Sequence, residues 1–223
     1  MAASYFDVDG TLVSSNLLHT AIYYMANDIN PIRSVKNLAG MMFRSPRLLL
    51  AELKDRRLFN ELLFEVFRGT SEDRLHVLAD SAYEWCMKDH VYPGARDLIA
   101  RCKAAGQEVV LVSGALDFLL ARLAADLGAD HYVGNRLEFK DGYATGKMLL
   151  PIVAGPAKSR IIYDHAVAGG HDLAKCHAYS DSYSDVPMLA VVGHPAAINP
   201  DSKLERLAQA YQWPILHFAK DGV

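Results

Sequence analysis

From Tyr92 onward, short β-forming runs alternate with longer runs of helical period, and one more β-rich run, Ser4–Val8, stands roughly eighty residues upstream. No other feature constrains the fold as tightly. Residues 93–105 read as a helix closed by Gly106, Glu108–Val112 as a strand, Leu116–Leu127 as a helix and His131–Val133 as a short strand. Arg136–Lys147 reads as a hairpin turning at Asp141-Gly142. Helix Lys158–Ala168, strand Cys176–Tyr179, helix Val186–Val192, strand Ala196–Ile198 and helix Asp201–Gln212 complete the series. Parallel neighbours need crossover helices, so this alternation specifies a mostly parallel sheet covered on both faces. The expected class is α/β: a Rossmann-like, doubly wound parallel sheet with an inserted all-helical segment and a small β-hairpin.

The insert follows directly on the first strand. Ser14 to His90 is helical in pattern, with breaks at Asn30-Pro31, Ser45-Pro46 and Gly69-Thr70-Ser71. Residues 1–13 and 91–223 are therefore expected to form the core, and 14–90 a helical domain of their own. With 51% hydrophobic and 22% charged residues, the chain is neither a disordered polymer nor a disulfide mini-protein. A net charge of −3 gives no electrostatic basis for general nucleic-acid binding. Cys86, Cys102 and Cys176 are far apart with no CxxC pair, which reads as buried thiols in a reducing compartment. The first residues hold no basic leader, and no apolar run reaches about eighteen residues, so a cytoplasmic location is expected. The insert is cationic: Arg33 to Arg68 holds eight basic and four acidic residues around Met41-Met42-Phe43 and Leu48-Leu49-Leu50. Such a surface suits ordinary helix packing, or contact with an amphiphilic phosphate or an anionic membrane.

In a doubly wound sheet, ligands collect beyond the carboxyl ends of the strands. Asp7-Val8-Asp9-Gly10-Thr11, Ser113-Gly114, Lys158 and Asp181-Ser182-Tyr183-Ser184-Asp185 all fall there. Together they bring four carboxylates, a hydroxyl and an ammonium to one edge of one sheet. Asp7, Asp9, Asp181 and Asp185 repel one another unless a divalent cation joins Lys158 among them, and hard oxygen donors point to magnesium. Ser113, the Gly114 N–H and a helix beginning near Ala115 offer a cradle for a phosphate. Lys158 and the metal would balance the charge of a phosphoryl group in transfer.

FDVDGTL, LVSGA, the lysine of GPAKS and YSDSYSDVPML resemble the four motifs of the haloacid dehalogenase superfamily, across residues 1–13 and 92–218. The helical insert after the first motif, and the spacing from Lys158 to Asp181, resemble its phosphoserine-phosphatase-like branch, subfamily IB. The resemblance implies a magnesium-dependent phosphomonoesterase with a Rossmann-like core and a cap at 14–90 that selects the substrate. It implies Asp7 as nucleophile and Asp9 as general acid and base, with magnesium held by Asp7, the Asp9 carbonyl, Asp181 and, through water, Asp185. It further implies Thr11 in the turn after the nucleophile, and Ser113, Gly114 and Lys158 on the phosphoryl oxygens. The chain departs from phosphoserine phosphatases at Asn16, where they carry a glutamate for the substrate's ammonium. A cap arginine for the substrate carboxylate has candidates by type in Arg56, Arg57 and Arg68, and none by spacing. The expected substrate is thus a small or amphiphilic organic phosphate. A phosphotransferase using the same phospho-aspartate, or an idle member whose cap binds a partner or membrane, are the alternatives. Two further patterns are discounted: Thr145-Gly146-Lys147 and Pro156-Ala157-Lys158-Ser159 lack phosphate-loop spacing, and His165, His171 and His177 fit no helical metal face.

Overall fold

Apolar residues of alternating direction split the core into two layers about one sheet. The structure, a computed structural model, describes residues 1–28, 32, 34–35, 39–41 and 56–219. Its strands are β1 (Ala3–Phe6), β2 (Glu108–Leu116), β3 (His131–Asn135), β4 (Leu137–Lys140), β5 (Tyr143–Met148), β6 (His177–Ser180), β7 (His194–Ile198) and β8 (Ile215–Leu216). Six of them form a parallel sheet in the order β3-β2-β1-β6-β7-β8, while β4 and β5 make a separate antiparallel hairpin. The chain winds outward from β1 in one direction and, after the hairpin, in the other. The switch point therefore lies at β1 and β6.

Helices α1 (Leu17–Ala26), α2 (Arg56–Phe64), α3 (Glu72–Val77) and α4 (Ala79–Cys86) lie in the insert. The crossovers are α5 (Pro93–Ala104), α6 (Asp117–Leu127), α7 (Pro156–Gly169), α8 (Val186–Ala190) and α9 (Ser202–Tyr211). Phe6, Val109 and Leu111 face a layer holding Leu98, Ile99 and Leu119 from α5 and α6, which runs on into Tyr24, Leu63 and Tyr83 of the insert. Tyr5, Val110 and Val112 face the other layer, against Ile162, Met188 and Leu204 from α7, α8 and α9. Period-two alternation along β1 and β2 thus buries both faces, as a doubly wound sheet requires.

Three differences from the sequence reading matter. First, β2 does not stop at Val112: it continues through Ser113-Gly114 to Leu116, with a register shift against β3. Ala115 and Leu116 are buried apolar residues, so the strand bulges and continues, and the helix starts only at Asp117. Second, the sheet gains β8, a two-residue strand too short to register as a periodic run. Third, the expected break at Gly69-Thr70-Ser71 pairs with the hairpin of the core, which the sequence reading did not foresee. Gly69 N–H donates to the Ala144 carbonyl (2.8 Å), Ala144 N–H to that of Thr70 (2.9 Å) and Glu72 N–H to that of Gly142 (2.9 Å), so residues 69–72 run beside the hairpin.

The chain enters and leaves the insert side by side: Ser14 N–H donates to the His90 carbonyl (2.8 Å) and Tyr92 N–H to that of Leu12 (2.9 Å). Cys86, Cys102 and Cys176 are free and buried. Met41 packs against the core, whereas Met42, Phe43 and Leu48–Leu50 fall outside the described residues. No helix among the described residues is long and apolar enough to cross a membrane.

Candidate active site

Immediately past β1, the chain turns back on itself: the N–H groups of Thr11, Leu12 and Val13 all converge on the Val8 carbonyl. Gly10, at φ +82°, makes that turn possible, and a side chain there would also collide with Asp181, whose Oδ2 lies 2.1 Å from the Cβ position. The turn leaves Asp7 and Asp9 buried at the carboxyl end of β1. The Thr11 hydroxyl, fully buried, stands 3.2 Å from Asp7 Oδ2 and 3.2 Å from Asp181 Oδ1. One hydroxyl thus bridges carboxylates 174 positions apart in numbering terms only; in space they are neighbours.

Lys158 arrives from the first turn of α7 and is buried among these acids. Its Nζ donates to Asp7 Oδ1 and to Asp185 Oδ2, each at 2.6 Å. Burial by itself pulls the ammonium's pKa down, but Asp185 and Asp7 outweigh it and hold Lys158 above the ordinary lysine value. Asp185 is pushed up by burial, although Lys158 and the Ser180 hydroxyl (2.8 Å) both favour its ionised form.

A small cavity of about 20 Å³, room for roughly one water molecule, opens over this cluster. Asp7, Asp9, Gly114, Lys158, Ser182, Ser184 and Asp185 line it, with Asn60, Val153 and Ala154 completing the walls. Ser113 lies behind, fully buried, its hydroxyl accepting from Ala115 N–H (3.0 Å). The expected helix-terminus cradle at Ser113-Gly114 is corrected by the extended β2: the Gly114 N–H belongs to a bulged strand end, and α6 begins beyond it. Ser184 faces the cavity, and the turn after β6 is capped by Ser182, whose hydroxyl accepts from Ser184 N–H.

Of the candidates in the insert, Asn16, Arg57 and Arg68 do not line the cavity. Asn16 is exposed and caps α1, accepting from Leu18 N–H (3.1 Å). Arg57 pairs with Glu61 at 3.0 Å, and Arg68 lies against Gly146 of the hairpin with Glu65 3.7 Å away. Arg56 opens α2, its side chain outside the described residues. Among the described residues of the insert, Asn60 reaches the site: it is buried on α2, with its Nδ2 2.9 Å from where a Cβ on Gly114 would stand. Asn135 was also missed. Buried at the end of β3, it donates to the Gly114 carbonyl (2.9 Å) and accepts from Val153 N–H (2.7 Å), joining the two loops that wall the cavity. No local pattern marks either asparagine; a buried amide is recognisable only once the fold shows what surrounds it.

A family model for haloacid dehalogenase-like hydrolases matches residues 5–190, a span that contains every group just described. The chain belongs to the haloacid dehalogenase-like hydrolase family. It is 33% identical over 218 residues to the phosphoserine phosphatase SerB1 of Mycobacterium tuberculosis, covering 97% of this chain and 71% of that relative. A protein of unknown function from Bordetella pertussis Tohama I has the same fold, with a TM-score of 0.81 at 24% identity over 96% of this chain and 97% of the other. So has phosphoserine phosphatase as a phospho-aspartyl intermediate analogue, with a TM-score of 0.73 at 21% identity over 99% and 94% of the two chains. Within the haloacid dehalogenase-like hydrolases, this chain is a phosphatase of the phosphoserine-phosphatase-like kind, a phosphoric monoester hydrolase.

Proposed function

We propose that this phosphatase is magnesium-dependent and works through an aspartyl-phosphate on Asp7, on a small or amphiphilic organic phosphate. The observation that carries the reading is the Lys158 ammonium held 2.6 Å from both Asp7 and Asp185 in a buried pocket. A cation so placed orients the Asp7 carboxylate and stands ready for the charge of an incoming phosphoryl group.

The donors fit magnesium: Asp7 and Asp181 converge on one hydroxyl, Asp181 presses on the backbone at Gly10, and the set offers hard oxygens. Asp7, the Asp9 carbonyl and Asp181 would hold the ion, with Asp185 behind them. When bound, it offsets the carboxylate charge and stabilises charge on the transferring phosphoryl oxygens. An Asp7 carboxylate oxygen attacks phosphorus as the ester P–O bond breaks, and the leaving oxygen takes a proton from the Asp9 carboxyl. Asp9, now a carboxylate, removes a proton from water as that water attacks phosphorus and frees Asp7. Lys158 and the Gly114 N–H grip the phosphoryl oxygens throughout, supported by Thr11 and Ser113.

Residues 14–90 serve in this reading as a cap over a core of 1–13 and 91–223. Asn60 supports it, because α2 carries that amide to the cavity roof. A volume of about 20 Å³ is too small for an organic phosphate, so α2 must shift for substrate to enter. Phosphoserine, the substrate in the name of the Mycobacterium tuberculosis relative, belongs in a panel with glycerol phosphate, lysophosphatidate and histidinol phosphate. Phosphate release with magnesium, and its loss in EDTA, is expected for at least one of them; release unaffected by EDTA overturns the metal assignment.

A further inference from the structure

At the opposite edge of the sheet, four side chains crowd together for which the proposed chemistry has no use. Glu108 opens β2, His131 opens β3, His165 lies on α7, and His171 follows that helix directly. Because the strands are parallel, this edge faces away from Asp7 and Lys158. One carboxylate receives several imidazoles. His171 Nε2 is 2.5 Å from Glu108 Oε2, His131 Nε2 is 2.8 Å from Oε1, and His165 Nε2 is 4.0 Å from Oε1. Ligand atoms of Glu108, His165 and His171 lie within 4.8 Å of one another. The rings of His165 and His171 are parallel to within 4°.

Sequence spacing discounted this pair because His165 and His171 are not on one helical face. The fold brings them together differently: α7 ends at Gly169, and Gly170, in the left-handed region at φ +65°, reverses the chain so that His171 lies back against the helix. Gly169 permits this, since a Cβ there would sit 2.5 Å from His171 Nε2. The His171 side chain is 4% exposed, and neither ring nitrogen makes a hydrogen bond among the described residues, despite the nearby carboxylate. The Tyr5 hydroxyl stands 3.2 Å from His165 Nδ1. With Nδ1–H donating to that oxygen, the Nε2 lone pair faces Glu108, an arrangement that supporting groups impose on ligating histidines.

We propose that Glu108, His165 and His171 form a site for a divalent transition-metal ion of the zinc class, with His131 as a fourth donor or as a gate to solvent. Two or three imidazoles and one carboxylate are the donor set such ions prefer, whereas magnesium favours oxygen alone. The ion would staple the start of β2 to the far end of α7, the helix whose first turn carries Lys158. The site stands independently of the phosphatase mechanism.

The test is equilibrium dialysis of the full chain against zinc with magnesium present, followed by elemental analysis. One bound zinc is expected in the wild type and in Asp181→Asn, whose change lies at the other edge. His165→Gln combined with His171→Gln should lose it, and Tyr5→Phe should bind about tenfold more weakly. Cobalt on the wild-type chain supplies a reading that needs no variant: an intense visible band of tetrahedral type is expected. No bound zinc, zinc retained by the double variant, zinc lost in Asp181→Asn, or only the weak band of six-coordinate cobalt would overturn the proposal.

Discussion

Lys158 answers a charge problem that no apolar residue could. Methionine would keep much of its volume and leave Asp7 and Asp185 buried without a counter-ion. Lys158→Met is therefore expected to lose about 3–5 kcal/mol of stability in EDTA, measured by urea unfolding. Gly10 sets a second single-residue requirement. Gly10→Ala must move Asp181, since the added Cβ would stand 2.1 Å from its Oδ2. The expected result is at least a tenfold rise in the magnesium concentration giving half-maximal activity, read from a metal titration. Asp7, Asp9, Lys158, Asp181 and Asp185 could be picked out in the sequence because each follows or opens a recognisable element. Asn60 and Asn135 could not, because an asparagine in a helix or at a strand end signals nothing until its neighbours are known.

Elements tie the insert to the core at more than its two chain crossings. Asp126 on α6 accepts from Arg96 of α5 (2.6 Å) and from the Tyr83 hydroxyl of α4 (2.8 Å). Burial raises the Asp126 carboxyl, but Arg96 and Tyr83 outweigh it and hold its pKa below the usual carboxylate value. A depressed pKa means stability that is present above the unfolded-state value and lost as pH falls through the folded one. Asp126→Asn should therefore cost about 1 kcal/mol at neutral pH, and in paired thermal melts the difference should shrink as pH falls through the carboxylate range and vanish once Asp126 is protonated in the folded chain. The α2 helix offers the complementary case: Asn60→Ala should raise KM about tenfold for the best substrate with kcat little changed, if its amide grips the organic part. Element boundaries were legible where caps are local, as at Asp201, whose carboxylate accepts from Lys203 and Leu204 N–H. The end of β2 was not, because Ser113-Gly114 reads as a break while tertiary burial of Ala115 and Leu116 keeps the strand going.

For the whole molecule, alternation of strands and helices was enough to infer the doubly wound sheet, since crossover geometry leaves few other options. The winding order and the docking of the hairpin on residues 69–72 depend on long-range pairing that no local pattern encodes. Those pairings also place the acids, Lys158 and Asn60 around one cavity, so the function rests on the global fold. Its central claim is a covalent phosphate on Asp7. The direct measurement is an acid quench of the enzyme during turnover of a labelled substrate from the panel, with peptide mapping of retained label. A hydroxylamine-sensitive label on the peptide containing Asp7, absent in a folded Asp7→Asn variant whose turnover falls at least about a thousandfold, is the expected result. Label on another residue, or near-normal turnover in Asp7→Asn, would contradict it.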